Sequence, residues 1–367
     1  MKILHIIPSL HGGGAEKFTI DLCNELSKEH EVILCSLFDV TDSMFMAENL
    51  EKNVKLVVMH KKLGFDFSLF YKLYKLIKEE NVDIINTHLR ALIYSILPII
   101  FTKHHFFHTI HSLAEKETSK LNRFIYKILF KFFNVIPIAI SSQVLKSIHS
   151  EYGKNFNILI DNGIKALKKT DEFEKVKYEV EQYKANKDTT VFINIGRILP
   201  VKNQRMLIDV INQLRLDGKN VVLLILGADE YSKNQKFLKE LLNIAEDKIF
   251  FLGMKKNIAD YLLCADAFCL SSLYEGLPIT LLEALSLGII PICTPAGGIV
   301  NVIDDNTGFM SIDFSSKAYQ SEIEKYLNLS SVEKKRLSEN GKILFDQKYN
   351  ISQTAVNYIK SYEYKLN

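Results

Sequence analysis

Apolar positions along this chain fall into two alternating rhythms. Short, nearly continuous apolar runs recur at 2–7 (KILHII), 31–37 (EVILCSL), 55–59 (KLVVM), 83–87 (DIINT), 106–110 (FFHTI), 136–140 (IPIAI) and 156–160 (FNILI). Between most of them lie stretches with helical spacing, at 14–29, 68–80, 90–101, 119–133 and 142–152. Strands that are apolar throughout and joined by helices predict a parallel sheet covered on both faces. A charged stretch at 165–188 breaks the rhythm and reads as a linker followed by a helix. The alternation then restarts at 190–195 (TVFINI), 221–226 (VVLLIL), 248–253 (KIFFLG), 267–272 (AFCLSS) and 289–294 (IIPICT), and long helical segments near 316–346 and 351–364 close the chain. The expected fold is α/β, with two Rossmann-like parallel-sheet domains, 1–165 and 166–349, facing each other across a cleft.

Composition narrows the function classes. The 367 residues carry 47% hydrophobic and 24% charged positions, the balance of a globular protein, and suffice for two cores. A net charge of +3 gives no reason to expect nucleic acid as a partner. The five cysteines, Cys23, Cys35, Cys264, Cys269 and Cys293, are odd in number and contain no CxxC, so reduced thiols are expected rather than a disulfide framework or a zinc site. The longest apolar run, ALIYSILPIIF at 91–101, falls short of the roughly 20 residues a membrane span needs. No signal peptide is evident at the N-terminus, and the expected location is the cytoplasm.

In open parallel sheets ligands bind beyond the carboxyl ends of the strands, so the residues just after each strand carry the functional information. The first strand is followed by SLHGGGAEK, where Gly12, Gly13 and Gly14 precede a helix whose free amides suit a phosphate. A glycine turn alone serves equally as a tight turn. The spacing is not GxGxxG, which argues against a nicotinamide site. His111 follows FFHTI and His88 follows DIINT, each placed to touch a substrate or simply to be a satisfied surface group. His104, His105 and His108 form no convincing metal constellation.

The second half repeats the arrangement. NIGRILPVKN places Gly196, Arg197 and Lys202 after a strand, a planar fork and a point charge suited to a diphosphate. SSLYEGLPITLLEAL places Glu275 on a turn and Glu283 within the next helix, with Pro278 expected in its first turn. TPAGGIVNVI adds Gly297 and Gly298 at a predicted helix start, a second candidate phosphate cradle.

Together GGGAEK, His111, IDNGI, GRILPVKN, EGLPITLLEAL and AGGIVNVI resemble the family 4 glycosyltransferases. That resemblance implies the GT-B fold, with an acceptor-binding first domain onto which the C-terminal helix 350–367 packs back, and a donor-binding second domain. It implies retaining transfer from a nucleotide-diphosphate sugar, UDP- or GDP-linked, with no cofactor and no metal. Arg197 and Lys202 would hold the diphosphate, Glu283 the ribose, and Glu275 and His111 the sugar. Backbone at Gly13, Gly14, Gly196, Gly276, Leu277, Gly298 and Ile299 would complete the donor site. His111, Arg197, Lys202 and Glu275 are the catalytic candidates. Two positions depart from the family: Asp161 stands where Pro is usual, and Ser112 where Gly or Asp is frequent.

The acceptor implied is a glycan or lipid-linked glycan of bacterial surface polysaccharide synthesis. Segment 116–134 carries Lys116, Lys120, Arg123, Lys127 and Lys131 beside an apolar face of Phe124, Ile125, Ile128, Leu129, Phe132 and Phe133. Such a helix suits either a core with a solvated basic side or peripheral contact with an anionic inner membrane face. A GT-B nucleotide-sugar epimerase and a non-catalytic nucleotide-sugar-binding subunit remain the alternative readings.

Overall fold

The computed structural model describes residues 1–11, 13–39, 45–228 and 235–366, so Gly12 lies outside the described residues. The chain divides into two compact units, Met1–Lys165 with Tyr349–Asn367, and Ala166–Lys348.

The first unit is built on a parallel sheet of β1 (Lys2–Ile7), β2 (Glu31–Ser36), β3 (Lys55–Val58), β4 (Ile84–His88), β5 (His105–Ile110), β6 (Ile136–Ala139) and β7 (Ile158–Leu159). Their order is β3-β2-β1-β4-β5-β6-β7. Ile3, Leu4, Ile6 and Ile7 are fully buried along β1, as a strand covered on both faces requires. Its neighbours are β2 and β4, so the order reverses between β1 and β4. The edge strand β3 is more exposed, and Lys55 there pairs with Glu80.

The helix Ile351–Leu366 belongs to this unit and packs on the helix Gly14–Leu26. Its entry is pinned by backbone bonds, Ile164 N to Tyr349 O at 2.9 Å and Ile351 N to Ile164 O at 3.0 Å. Tyr358 and Tyr362 are fully buried beneath it. The Tyr358 hydroxyl lies 3.0 Å from Thr109 Oγ1, and the Tyr362 ring stands edge-on to Phe107 with centroids 4.8 Å apart.

The second unit repeats the plan with β8 (Thr190–Ile195), β9 (Val221–Leu226), β10 (Ile249–Gly253), β11 (Ala267–Leu270), β12 (Ile290–Cys293) and β13 (Phe309–Met310), in the order β10-β9-β8-β11-β12-β13. All pairings are parallel, and the order reverses between β8 and β11. The helix Ser316–Leu327 anchors to the sheet through two tyrosines, Tyr319 to Ile292 O at 2.7 Å and Tyr326 to Asp266 O at 2.6 Å.

Several elements differ from the sequence pattern. The segment 90–101 is two short helices, Ala91–Tyr94 and Ile96–Phe101, and 316–346 is broken after Leu327. A capping box of Ser330 and Glu333 starts the second piece there, because paired Ser and Glu side chains satisfy its free amides. The very short β13 carries too few residues to stand out as a run.

The segment 116–134 is not one continuous helix: Lys116 lies in the short helix Ala114–Glu117, and the helix Lys120–Phe132 begins after its cap Ser119. Arg123 leaves the basic face to pair with Glu151 at 2.9 Å, and Leu129 is buried. What stays exposed is Leu121, Phe124 and Phe132, flanked by Lys120, Lys127 and Lys131. Among the described residues no helix is long and apolar enough to cross a membrane.

The Tyr362 hydroxyl is buried without a hydrogen-bond partner, which generates a paired prediction. Tyr362→Ala should cost about 3–5 kcal/mol in urea unfolding by leaving a cavity. Tyr362→Phe should be neutral or stabilising, since it removes an unsatisfied polar atom. A marked loss in the Phe variant would contradict this packing.

Candidate active site

In the second unit the chain leaves β8 at Ile195 and passes through Gly196, Arg197 and a 3₁₀ turn at Pro200–Lys202. Asn203, in the left-handed region at φ 51°, turns it into the helix Gln204–Leu216. Gln204, fully buried, donates to Arg197 O at 3.0 Å and fixes the loop from behind. The Arg197 side chain is exposed. Gly227 lies so close that a Cβ there would collide with Gly196 O, and its φ of +142° also requires glycine.

The chain leaves β11 alongside this loop, and the two are stitched together. Ser271 Oγ donates to Lys202 O at 2.8 Å, and Leu273 N donates to Val201 O at 2.8 Å. Lys202 Nζ then meets Glu275 Oε1 at 2.6 Å, and Ser272 Oγ donates to the same oxygen at 2.6 Å. The paired side chains are 21% and 12% exposed, so the contact is partly shielded from water. Two residues 73 positions apart in sequence thus form one charged pair at the strand ends.

Gly276 and Leu277 follow, both buried, and Pro278 caps the helix Ile279–Leu287 instead of standing in its first turn. Its ψ of 123° is extended, as a cap position demands. Glu283 projects from the second turn and is 3% exposed. Gly297 and Gly298 open a five-residue 3₁₀ turn, not an α-helix. Gly298 N approaches Glu275 O at 3.4 Å, and Ile299 N donates to Ala296 O at 3.2 Å. Gly297 has φ +57°, and a Cβ on it would strike Glu275 O.

In the first unit Gly13 caps the helix that Gly14 begins. A Cβ at Gly13 would sit on the carboxylate of Glu16, so this helix start already faces an acid of its own first turn. His88 is the buried last residue of β4, not a residue beyond it. His88 Nδ1 lies 2.9 Å from His111 Nε2, and His5 Nδ1 lies 3.0 Å from His88 Nε2. Phe18 stands edge-on to the His111 ring, with centroids 5.7 Å apart. Burial holds the pKa of His111, His5 and His108 down to about 3 and that of His88 well below the usual range.

Glu117 is the residue that sequence reasoning passed over. It closes the turn after His111, accepting from Ser112 N at 3.3 Å, and its Oε1 lies 3.8 Å from His108 Nε2. Burial pushes its pKa up to about 8, so it is a neutral acid near pH 7. It went unnoticed because its neighbours in sequence are charged and only the folded turn encloses it. Among the described residues no group of His, Cys, Asp and Glu is arranged to hold a metal ion.

Residues 12–166 match the family described as Glycosyltransferase Family 4, and residues 176–343 match Glycosyl transferases group 1. The chain belongs to the family 4 glycosyltransferases. This glycosyltransferase is 31% identical over 239 residues to an uncharacterized glycosyltransferase of Methanocaldococcus jannaschii, a match spanning 61% of the chain but only 58% of that relative's length. It is 27% identical over 314 residues to a Campylobacter jejuni alpha-1,4-N-acetyl-D-galactosaminyltransferase acting on a diphosphoundecaprenol-linked glycan, covering 83% of each chain. Its fold is GT-B. The crystal structure of HepE from Anabaena with UDP-glucose superposes at a TM-score of 0.83 with 19% identity, over 98% of this chain and 100% of that one.

The buried groups set a pH dependence of stability. Between about pH 6.5 and 8 the histidines are neutral in both folded and unfolded chains. Glu117 is ionised when unfolded and protonated when folded, so its stabilising contribution is lost as pH rises through about 8. Below about pH 6.5 the unfolded histidines take up protons that the folded ones refuse, so stability falls again toward acid. Urea unfolding should therefore show a maximum near pH 6.5, and Glu117→Gln should flatten the alkaline limb between 6.5 and 8.

Proposed function

We propose that this glycosyltransferase transfers a sugar, with retention, from a UDP- or GDP-linked donor to a hydroxyl of a lipid-linked glycan in bacterial surface polysaccharide synthesis. The observation that carries the reading is the convergence of Arg197, Lys202 and Glu275 where the strand order reverses between β8 and β11. Ligands of open parallel sheets bind at such a point. The UDP-glucose bound to HepE and the lipid-linked acceptor of the Campylobacter relative support the donor and acceptor classes.

The second unit binds donor and the first binds acceptor. Arg197 grips the diphosphate with its planar fork and Lys202 as a point charge. Glu275 balances Lys202 in the free protein and then turns to hydroxyls of the sugar. Glu283 takes the ribose hydroxyls, and backbone at Gly196, Gly276, Leu277, Gly298 and Ile299 lines the donor. Gly13 and Gly14 approach the phosphate or the acceptor, and His111 the sugar. The bond from the anomeric carbon to the phosphate oxygen breaks with its electron pair passing to the diphosphate. The acceptor oxygen adds on the same face, and its proton moves to the departing phosphate oxygen. The two cations stabilise the charge that grows there, the task a metal ion performs elsewhere.

The stripe of Leu121, Phe124 and Phe132 with Lys120, Lys127 and Lys131 holds the enzyme on the anionic inner face of the cell membrane, where a lipid-linked acceptor would be found.

A nucleotide-sugar panel offered with membrane lipid extract should reveal release of nucleoside diphosphate from one donor. Lys202→Ala should lower kcat/KM for that donor roughly 10²–10³-fold. Absence of turnover with every donor would overturn the assignment. Phe124→Glu should reduce sedimentation with phosphatidylglycerol vesicles while sparing transfer to a short, soluble acceptor; unchanged sedimentation would remove the membrane part of the reading.

A further inference from the structure

Three imidazoles in the first unit form one hydrogen-bonded line, from His5 through His88 to His111. A neutral imidazole has one N–H and one bare nitrogen, so a line of such bonds has a direction. Two directions are possible. Either each ring donates toward His111 and the surface, or each donates inward toward His5.

Two independent observations choose between them. Asn86 Nδ2 lies 3.1 Å from His88 Nε2 and 3.0 Å from Thr109 Oγ1, while Thr109 Oγ1 approaches Asn86 Oδ1 at 3.4 Å. An amide N–H aimed at His88 Nε2 requires that nitrogen to be bare. The second observation is His5 Nε2, which is buried with no hydrogen-bond partner. If the line ran inward, that atom would carry an orphaned N–H. If it runs outward, the atom is an unfilled acceptor, which costs less and occurs more often in native proteins.

The outward direction accounts for every ring atom. His5 Nδ1 donates to His88 Nε2, and His88 Nδ1 donates to His111 Nε2. The proton of His111 then sits on Nδ1, which makes no hydrogen bond within the protein and is not sealed from solvent. Phe18, edge-on to the ring, limits its rotation. We infer that His88 is a positioning residue that, backed by His5 and Asn86, locks His111 in its Nδ1–H tautomer and so makes it a hydrogen-bond donor to an oxygen of the transferred sugar.

This inference rests on the proposed contact between His111 and the sugar, but the tautomer can be read without any substrate. Nitrogen NMR of the full chain labelled with ¹⁵N-histidine distinguishes a protonated from a bare ring nitrogen, and His111→Gln identifies the signals of His111. The wild type should show His111 protonated at Nδ1 and bare at Nε2. His88→Leu should shift His111 toward the Nε2–H form and lower kcat about 10-fold, the scale of one misdirected hydrogen bond, with little change in donor KM. His88→Asn, whose amide can donate from nearly the place of Nδ1, should restore the Nδ1–H form and most of kcat.

A wild-type His111 protonated at Nε2, or an unchanged tautomer in a folded His88→Leu protein, would overturn the inference. Should the tautomers behave as stated while His111→Gln transfers sugar at the normal rate, the relay would stand and the sugar contact would fall.

Discussion

Because every strand in both sheets runs parallel to its neighbours, each connection must return along the outside of the sheet, and the strand C-termini of a unit emerge together at one edge. Burying such sheets on both faces is the favourable term that holds each unit, and it explains why Ile3, Leu4, Val191, Phe192 and Ile193 have no exposure. The same geometry decides where chemistry can occur. At the reversal between β8 and β11 two loops diverge with their ends still adjacent, which brings Lys202 and Glu275 within 2.6 Å. At the reversal between β1 and β4, His5 and His88 meet in the same way.

Desolvation gives these junctions their electrical character. In the second unit the cation Lys202 and the anion Glu275 keep partial access to water and offset one another. In the first unit the buried groups respond by losing charge instead, so the histidines stay neutral and Glu117 holds its proton. One unit therefore presents charges suited to a diphosphate, and the other presents neutral donors and acceptors suited to hydroxyls. That division matches the roles expected of the two halves in a glycosyltransferase.

Much of this was legible in the chain. The apolar rhythm located nearly all the strands, and the position of GRILPVKN after one of them singled out Arg197 and Lys202. The misreadings share a cause. Pro278, the glycine pair at 297–298 and the break after Leu327 are decided by local backbone geometry, which residue type only biases. Arg123 and Lys116 left the predicted basic face because Glu151 reaches Arg123 from another helix and Ser119 starts a new one. Glu117 lay hidden among lysines and acids, with nothing local to show that its turn is enclosed.

The sequence by itself determined the fold class, the two-unit plan and the residue types at the strand ends, because hydrophobic period and turn chemistry act over a few neighbours. Only the tertiary structure decided that Glu275 pairs with Lys202, that His5 and His88 stand in line behind His111, and that Glu117 is buried beside His108. Those contacts join residues that are distant along the chain, and the tautomers and pKa shifts that follow depend on how much water each contact excludes. Excluded water is a property of packing, and packing exists only once the sheets have formed.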